Sequence, residues 1–180
     1  MFEALTPLGH AEPETATIGT FTIAERVDTA LASLAIRRGR SADVAAAATD
    51  AGIPLPPPGR YETAKLAAFW LAPEMWMIEA PYGDLRGQLL AIFGDAASIT
   101  EQTDAWARFD LTGADLLALM ERLCNVDLDR ADDGMATRTV IDHLGCYLIR
   151  RDAQVITLYG PRSSAQALHH ALTVTAKSLL

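Results

Sequence analysis

Residues 98–129 read SITEQTDAWARFDLTGADLLALMERLCNVDLD. Polar and apolar side chains alternate through the middle of this stretch, and a period of two predicts a strand with one buried face. The apolar side chains are Ala105, Ala107, Phe109 and Leu111. The polar face carries Asp104, Trp106, Arg108 and Asp110. We therefore expect this strand to lie with one face on a core and the other turned away from it.

A helix is predicted directly after this strand. Gly113 is expected to end the strand at the helix N-cap, and Asp115 to lie in the first turn, where the helix dipole favours an anion. Apolar side chains then recur at helical spacing: Leu116, Leu117, Met120 and Leu123. The stretch thus predicts a strand, a glycine turn and a helix in succession.

Three segments together resemble one protein family. The first contains EQTDAW at 101–106, LTGAD at 111–115 and LCNVDL at 123–128. The second is WLAPEMW at 70–76, and the third pairs ATRT at 136–139 with LIRR at 148–151. Their order and spacing resemble the gamma subunit of heterotetrameric sarcosine oxidase, and also the folate-binding fold of the glycine cleavage T-protein. Glu101, Thr103 and Ala72 depart from the usual Asp, Ser and Gly of the pattern.

The resemblance implies an accessory role in an oxidoreductase complex. Such a complex oxidatively demethylates sarcosine and passes the one-carbon unit to tetrahydrofolate. FAD, FMN, NAD and tetrahydrofolate are implied on the larger subunits, with no cofactor on this chain, and the implied partners are the alpha, beta and delta subunits. The alternative is a free-standing folate-binding or aminomethyltransferase-like protein, and an uncharacterised α+β interaction module is a further reading.

Composition limits the classes of partner that the chain is expected to bind. The chain has 180 residues, is 50% hydrophobic and carries a net charge of −8, so it can bury a sizeable core. An acidic chain lacks the basic footprint that nucleic acid or an anionic membrane requires. No apolar run approaches the ~20 residues of a membrane span, and the N-terminus lacks the features of a secretory signal. We expect a cytoplasmic protein whose Cys124 and Cys146 are buried and unpaired.

The pattern of elements indicates an α+β fold. Residues 1–20 lack periodicity and are predicted to form an N-terminal arm that packs on the rest, and residues 21–180 are predicted to form a single α+β domain. The expected order is β-β-α, β-β-α, β-α, β-β-β-α, without the regular alternation of a doubly wound sheet. This order suits ferredoxin-like halves in a T-protein-like folate-binding-domain fold. The last helix is expected to begin at Gly160-Pro161, with Ala165, Leu168, Leu172, Ala176 and Leu179 on its inner face.

Capping and turn residues predict further elements. A helix is expected from Ser41 to about Ala51, ended by Gly52, and another from Asp84 to Phe93, ended by Gly94. A hairpin is expected over Lys65 to Pro81, with its turn at Ala72-Pro73-Glu74.

The search for chemistry returns no catalytic, cofactor-binding or metal-binding residue. Neither a phosphate-binding P-loop nor a dinucleotide fingerprint occurs. His169 and His170 are adjacent on a predicted helix and project about 100° apart, so they cannot share a metal. The acidic segment 127–134 fails the EF-hand spacing. Glu101 and Asp104 are expected on opposite sides of one strand, which disfavours a paired acid and base.

Tryptophan marks the candidate partner interface. Trp70 and Trp76 flank a predicted turn, and Trp106 shares the polar face of its strand. Buried interface centres are enriched in aromatic residues, so we predict that at least one of the three is substantially exposed and contacts a partner. Coverage by the chain's own elements is the competing interpretation. Self-association of the isolated chain is compatible with either.

Overall fold

Across residues 4–180, which the computed structural model describes, eleven strands form two antiparallel sheets and four α-helices accompany them. The strands are β1 (Thr15–Ile18), β2 (Phe21–Arg26), β3 (Thr29–Ile36), β4 (Tyr61–Thr63), β5 (Ala67–Ala72), β6 (Met75–Pro81), β7 (Ala97–Glu101), β8 (Trp106–Thr112), β9 (Ala136–Ile141), β10 (Leu144–Asp152) and β11 (Val155–Pro161). The helices are α1 (Ser41–Ala51), α2 (Leu85–Phe93), α3 (Leu116–Leu123) and α4 (Ala165–Lys177). This architecture confirms a mixed α and β fold, and the ferredoxin-like description of its halves stays a prediction.

The first of two compact units comprises the residues up to Val27 together with 105–180. Its six-stranded sheet has the order β1-β2-β8-β11-β10-β9. Alternate residues of β8 enter the core, as predicted, and Ala107, Phe109 and Leu111 are fully buried there. Helices α3 and α4 pack on the same face through Leu119, Met120 and the predicted inner residues of α4: Ala165, Leu168, Leu172 and Ala176.

The second unit comprises residues 28–104. Its five-stranded sheet has the order β4-β5-β6-β3-β7. Its core joins Ala30, Ala32 and Leu34 of β3 to apolar residues of α1 and α2, namely Val44, Ala48, Leu85, Leu89 and Phe93. Each unit is therefore an antiparallel sheet with two helices on one face.

Part of the predicted N-terminal arm forms regular structure. Residues 1–3 lie outside the described residues. Residues 15–18 form β1, which pairs with β2. Residues 4–14 precede it, and Leu8 enters the core of the first unit with 3% of its surface exposed. The organisation of residues 21–180 as one domain stays a prediction.

Several predicted boundaries are confirmed. Helix α1 begins at Ser41 and ends before Gly52, whose φ of 67° places it in the left-handed conformation that glycine adopts readily. Helix α2 begins after Asp84, whose carboxylate accepts a 2.8 Å hydrogen bond from the backbone N–H of Gly87. The predicted hairpin forms from β5 and β6. Helix-capping and turn residues thus located these elements.

The predicted start of α3 is wrong by two residues. Asp115, not Gly113, occupies the N-cap, and the helix begins at Leu116. Gly113 lies in the turn before it with a φ of 148°, and a Cβ there would stand 2.7 Å from the carbonyl oxygen of Thr20. This close approach of the backbone requires glycine at the turn rather than at the cap.

Glu101 and Asp104 do not share a strand. Glu101 ends β7, and Asp104 lies in a 3-10 turn, Thr103–Ala105. The Glu101 carboxylate accepts a 3.0 Å hydrogen bond from the Thr103 N–H, while the Thr103 hydroxyl accepts one of 2.9 Å from the Leu31 N–H. The side chains of Glu101 and Thr103 thus close the turn, which explains why the strand pattern ends there.

Other sequence-based predictions missed short edge elements. The predicted order lacks β1, β4 and β7, which have three to five residues each and show little apolar alternation. Gly160 and Pro161 belong to β11, and a 3-10 turn, Arg162–Ser164, precedes α4. A Cβ at Gly160 would stand 2.5 Å from the Leu168 side chain, so glycine there permits close packing of α4 on its sheet.

Candidate functional site

Trp70 and Trp76 lie opposite each other on β5 and β6 of the second unit. Both side chains are half-buried. Trp76 packs against the core of its unit, and its indole N–H donates a 2.8 Å hydrogen bond to the carbonyl oxygen of Pro56. The proline-rich segment thereby satisfies the polar atom of this tryptophan, which gives Trp76 a structural role within its own unit.

Trp106 belongs to the first unit, where it lies at the start of β8 and is also half-buried. Its ring centroid stands 5.1 Å from that of Tyr147 on β10, with the two planes inclined by 60°. The guanidinium of Arg138 on β9 stands 5.8 Å from the centroid of the same Tyr147 ring. Trp106, Tyr147 and Arg138 thus form a continuous contact that we call the aromatic–arginine patch.

Val140 extends this patch to the end of the sheet. It lies on β9 two residues after Arg138 and keeps 59% of its surface exposed. Side chains two residues apart on a strand share a face, so Val140 projects on the same side as Arg138. Sequence reasoning found Trp106 but missed Tyr147, Arg138 and Val140, because only the register of β8, β11, β10 and β9 brings them together.

A polar network lies on the same face of this sheet. Arg108 donates to both carboxylate oxygens of Asp110, at 3.0 and 2.8 Å. The buried Thr157 hydroxyl donates to Asp110 at 2.6 Å and accepts from Arg151 at 3.0 Å. Burial acts to lower the pKa of Arg108, but Tyr159 and Asp110 outweigh it and the net pKa is raised. The Arg108 guanidinium therefore stays charged and is held against the Asp110 carboxylate.

A buried carboxylate holds residues 4–14 on the first unit. Glu25 is 3% exposed, and its two oxygens accept from the backbone N–H groups of Leu8 and Glu14 at 2.9 and 3.0 Å. Arg162 and Gln166 donate to the carbonyl oxygens of Leu5 and Leu8, at 2.7 and 3.2 Å. The Glu25 carboxylate therefore binds the backbone of its own chain.

Histidine side chains lie near this segment. His10 and His169 approach different oxygens of Glu14, at 3.2 and 3.8 Å. The ring of His169 stacks on Phe109 with centroids 5.7 Å apart. Among residues 4–180, no group of three or more His, Cys, Asp or Glu side chains is arranged to hold a metal ion.

The acidic loop after α3 is held by one arginine. Arg150 donates to the carbonyl oxygens of Leu128 and Ala131 at 2.6 and 2.8 Å, and it pairs with Asp133 at 3.3 Å. A cleft of about 120 Å³ lies beside it, lined by Leu116, Leu128, Arg150 and Ile156 among others. Ligand pockets for drug-sized molecules commonly measure ~300–1,000 Å³, so this cleft does not fit a folate or a flavin.

The two cysteines are unpaired. Cys146 is fully buried, and burial, with a smaller contribution from Cys124, raises the pKa of its thiol to about 11. A protonated buried thiol is neither a nucleophile nor a metal ligand at neutral pH. The prediction that Cys146 is a small buried hydrophobe is confirmed, whereas Cys124 is half-buried.

No helix within residues 4–180 combines the length and the apolar character needed to cross a bilayer.

Comparisons with known proteins place the fold. No family model and no curated protein matches the chain. A chain of heterotetrameric sarcosine oxidase from Corynebacterium sp. U-96, solved with pyrrole 2-carboxylate, matches with a TM-score of 0.79 and 21% identity over 92% of this chain and 88% of that one. Aminomethyltransferase T of the glycine cleavage system from Bartonella henselae matches with a TM-score of 0.61 and 13% identity. That match covers 85% of this chain but about half, 48%, of the aminomethyltransferase. The chain therefore has a T-protein-like fold similar to that of a sarcosine oxidase chain.

Proposed function

We propose that the chain is the non-catalytic gamma subunit of a heterotetrameric sarcosine oxidase. The observation that carries this proposal is the two-way correspondence with a chain of that complex, over 92% of this chain and 88% of the other at a TM-score of 0.79. The EQTDAW, LTGAD and WLAPEMW segments support it from the sequence side. The proposal makes the chain one subunit of an assembly for oxidative demethylation of sarcosine.

In this proposal the larger subunits perform the chemistry. They would hold FAD, FMN, NAD and tetrahydrofolate, and this chain would hold no cofactor. The engagement of Glu25, Asp110 and Arg150 in contacts within the chain supports such a division. The raised pKa of the Cys146 thiol supports it as well. The contribution of this chain would be surface that binds the alpha, beta and delta subunits.

The charge of the chain supports protein partners over nucleic acid or a membrane. A net charge of −8 repels phosphate backbones and anionic headgroups. The cytoplasmic location expected from the sequence remains a prediction. The role of Trp70, Trp76 and Trp106 in binding partners is also a prediction, and the aromatic–arginine patch favours Trp106 among them.

The proposal is tested by purification of the assembly. The chain, carrying an affinity tag, is expressed in the organism that encodes it and purified gently. We expect flavoprotein subunits to co-elute in a constant ratio and the eluate to consume oxygen when sarcosine is added. An unrelated tagged protein from the same cells is the control. Elution of the tagged chain alone, from cells that contain the flavoproteins, would contradict the proposal.

The second candidate is a free-standing folate-binding protein of the aminomethyltransferase type. The structural match to aminomethyltransferase T favours it, although this chain covers about half of that protein. Calorimetric titration of the isolated chain with tetrahydrofolate separates the two functions. We expect no measurable heat for a gamma subunit, because this chain covers 48% of the aminomethyltransferase and ligand pockets prefer interfaces between domains. A micromolar affinity would favour the folate-binding alternative.

A further inference from the structure

Strand β9 is an edge strand of the six-stranded sheet. Its pairing with one neighbour determines which of its backbone N–H and C=O groups point away from the sheet. In the described chain its neighbour is β10, with Thr139 opposite Cys146 and Arg138 opposite Tyr147. The N–H of Arg150 donates to the carbonyl oxygen of Met135 at 2.9 Å, which places the odd-numbered residues of β9 in the hydrogen-bonded pairs. In an antiparallel ladder, residues that hydrogen-bond to the neighbouring strand alternate with residues whose backbone groups point away from it. The N–H and C=O groups of Arg138 and Val140 therefore point to the open edge.

This edge has one of the usual protections against strand pairing, a charged side chain, and lacks the others. Natural edge strands are kept short, bulged, interrupted by proline or lined with charged side chains, and on β9 the charged side chain is the exposed Arg138. The sequence of β9, ATRTVI, contains no proline, and its six residues pair with β10 in unbroken register. The opposite edge of the same sheet, β1, has four residues. The β9 edge is thus the longer and more regular template for an added strand.

The side chains beside the edge are those that dominate protein interfaces. Tryptophan, tyrosine and arginine are the residue types most enriched among interface residues with large energetic effects. Trp106, Tyr147 and Arg138 provide all three in one continuous contact. Val140 adds an apolar side chain that is 59% exposed. The open edge can supply backbone hydrogen bonds to an added strand. The aromatic–arginine patch and Val140 can contact alternate side chains of that strand.

We propose that β9 accepts an antiparallel or parallel strand from a flavoprotein subunit of the complex, with a carboxylate of that strand opposite Arg138 and an apolar side chain beside Val140. This inference rests on the proposed function. Charge favours such a partner over a second copy of this chain. Two copies with a net charge of −8 repel each other, and two-fold pairing centred on Arg138 would place like charges directly opposite.

The first variant blocks the open edge of β9 and leaves the hydrogen bonds between β9 and β10 in place. Val140→Pro removes an outward-facing N–H, and proline is tolerated at such positions of edge strands. The matched control is Thr17→Pro on β1. The N–H of Glu25 donates to the carbonyl oxygen of Glu14 at 2.8 Å, so residue 17 also points outward, at the opposite edge. Melting temperatures of both variants close to that of the wild-type chain would show that the fold is intact.

The second variant tests the charge of Arg138 and leaves the backbone hydrogen-bonding groups of β9 unchanged. Arg138→Glu reverses the charge at an exposed position, and Arg130→Glu makes the same change in an exposed loop. The Arg130 side chain forms a 3.7 Å ion pair with Asp127 and is 88% exposed. A loss specific to Arg138→Glu would assign the effect to the β9 edge rather than to net charge.

The assay is a competition inside the assembled complex. Each tagged variant is co-expressed with untagged wild-type chain and the flavoprotein subunits, the complex is purified through a flavoprotein subunit, and mass spectrometry gives the ratio of variant to wild type. We expect Val140→Pro and Arg138→Glu to be depleted by about 30-fold, the scale of an interface hot spot. Thr17→Pro and Arg130→Glu should stay near equal incorporation.

The outcomes separate the two proposals. If wild-type chain is missing from the purified complex, the proposed function fails and this inference fails with it. If wild type is present and Val140→Pro and Arg138→Glu are incorporated equally well, only the inference is overturned. A concentration-dependent dimer of the isolated chain that Val140→Pro abolishes, seen by light scattering, would assign the edge to a second copy and also overturn it.

Discussion

The two units share one plan but place their tryptophans differently. Each has an antiparallel sheet with two helices packed on one face. In the second unit, Trp76 packs on the core and gives its N–H to Pro56. In the first unit, Trp106 contacts Tyr147, beside the exposed Arg138 and the open β9 edge. Two half-buried tryptophans can therefore serve different purposes, and the surroundings of each indole decide which.

The largest effect is expected at Trp76. Trp76→Ala removes packing against the core and leaves the Pro56 carbonyl without its donor, and we expect it to lower the free energy of unfolding by about 3 kcal/mol. Urea denaturation of the full chain measures this loss. Trp76→Phe retains most of the packing and should cost about 1 kcal/mol, the hydrogen bond alone.

Binding data on the same variant sharpen the contrast. If the proposed function holds, Trp76→Ala should enter the proposed complex normally at temperatures where it is folded. If the variant keeps wild-type stability but is excluded from the complex, Trp76 is an interface residue and the contrast between the two units fails.

A smaller loss is expected in the polar network of the first unit. Asp110→Asn replaces a carboxylate that is bound by Arg108 and Thr157, and its side chain is 16% exposed. Charged hydrogen bonds at such partly buried sites commonly contribute ~1.5–3 kcal/mol, so we expect thermal and urea unfolding to show a loss of about 2 kcal/mol. The exposed Asp129 provides the control, because Asp129→Asn should change stability by less than about 0.5 kcal/mol.

This prediction tests whether the network stabilises the sheet. Equal stabilities of Asp110→Asn and Asp129→Asn would mean that solvent already screens the charges around Asp110. The stability of the first unit would then come mainly from its apolar core.

The sequence located the elements whose periodicity is strong. Alternation from Trp106 to Leu111 identified β8 and both of its faces, and the helical spacing of Leu168 and Leu172 identified the inner face of α4. The prediction for Ala105 was wrong, because this residue lies in the 3-10 turn before β8 and is exposed rather than on the buried face. Short edge strands such as β4 and β7 were missed, because three to five residues that pair on one side carry little apolar pattern. The start of α3 was misplaced because the backbone contact of Gly113 with Thr20 joins residues distant in sequence.

The candidate surface was only partly predictable for a related reason. Trp106 stands out in the sequence as an aromatic residue on a charged face. Its neighbours do not, since Tyr147 and Arg138 reach it only through the register of the four strands β8, β11, β10 and β9. A single sequence gives the facing of each strand but not the order in which strands pair. The resemblance to sarcosine oxidase supplied the fold, and the sheet order then revealed the open edge.

The smallest effect on stability, and the most informative one, is expected at Trp106. Trp106→Ala removes its contact with Tyr147, and an aromatic pair contributes roughly 0.5–1.5 kcal/mol, so we expect the free energy of unfolding to fall by about 1 kcal/mol. Incorporation into the complex should fall at least about tenfold in the competition assay, because the indole supports the ring beneath Arg138. Trp106→Phe restores an aromatic contact with Tyr147 and should recover most of the incorporation. A loss of stability as large as that of Trp76→Ala, with normal incorporation, would make Trp106 a structural residue like its counterpart in the second unit. The proposal that the aromatic–arginine patch binds a partner would then be wrong.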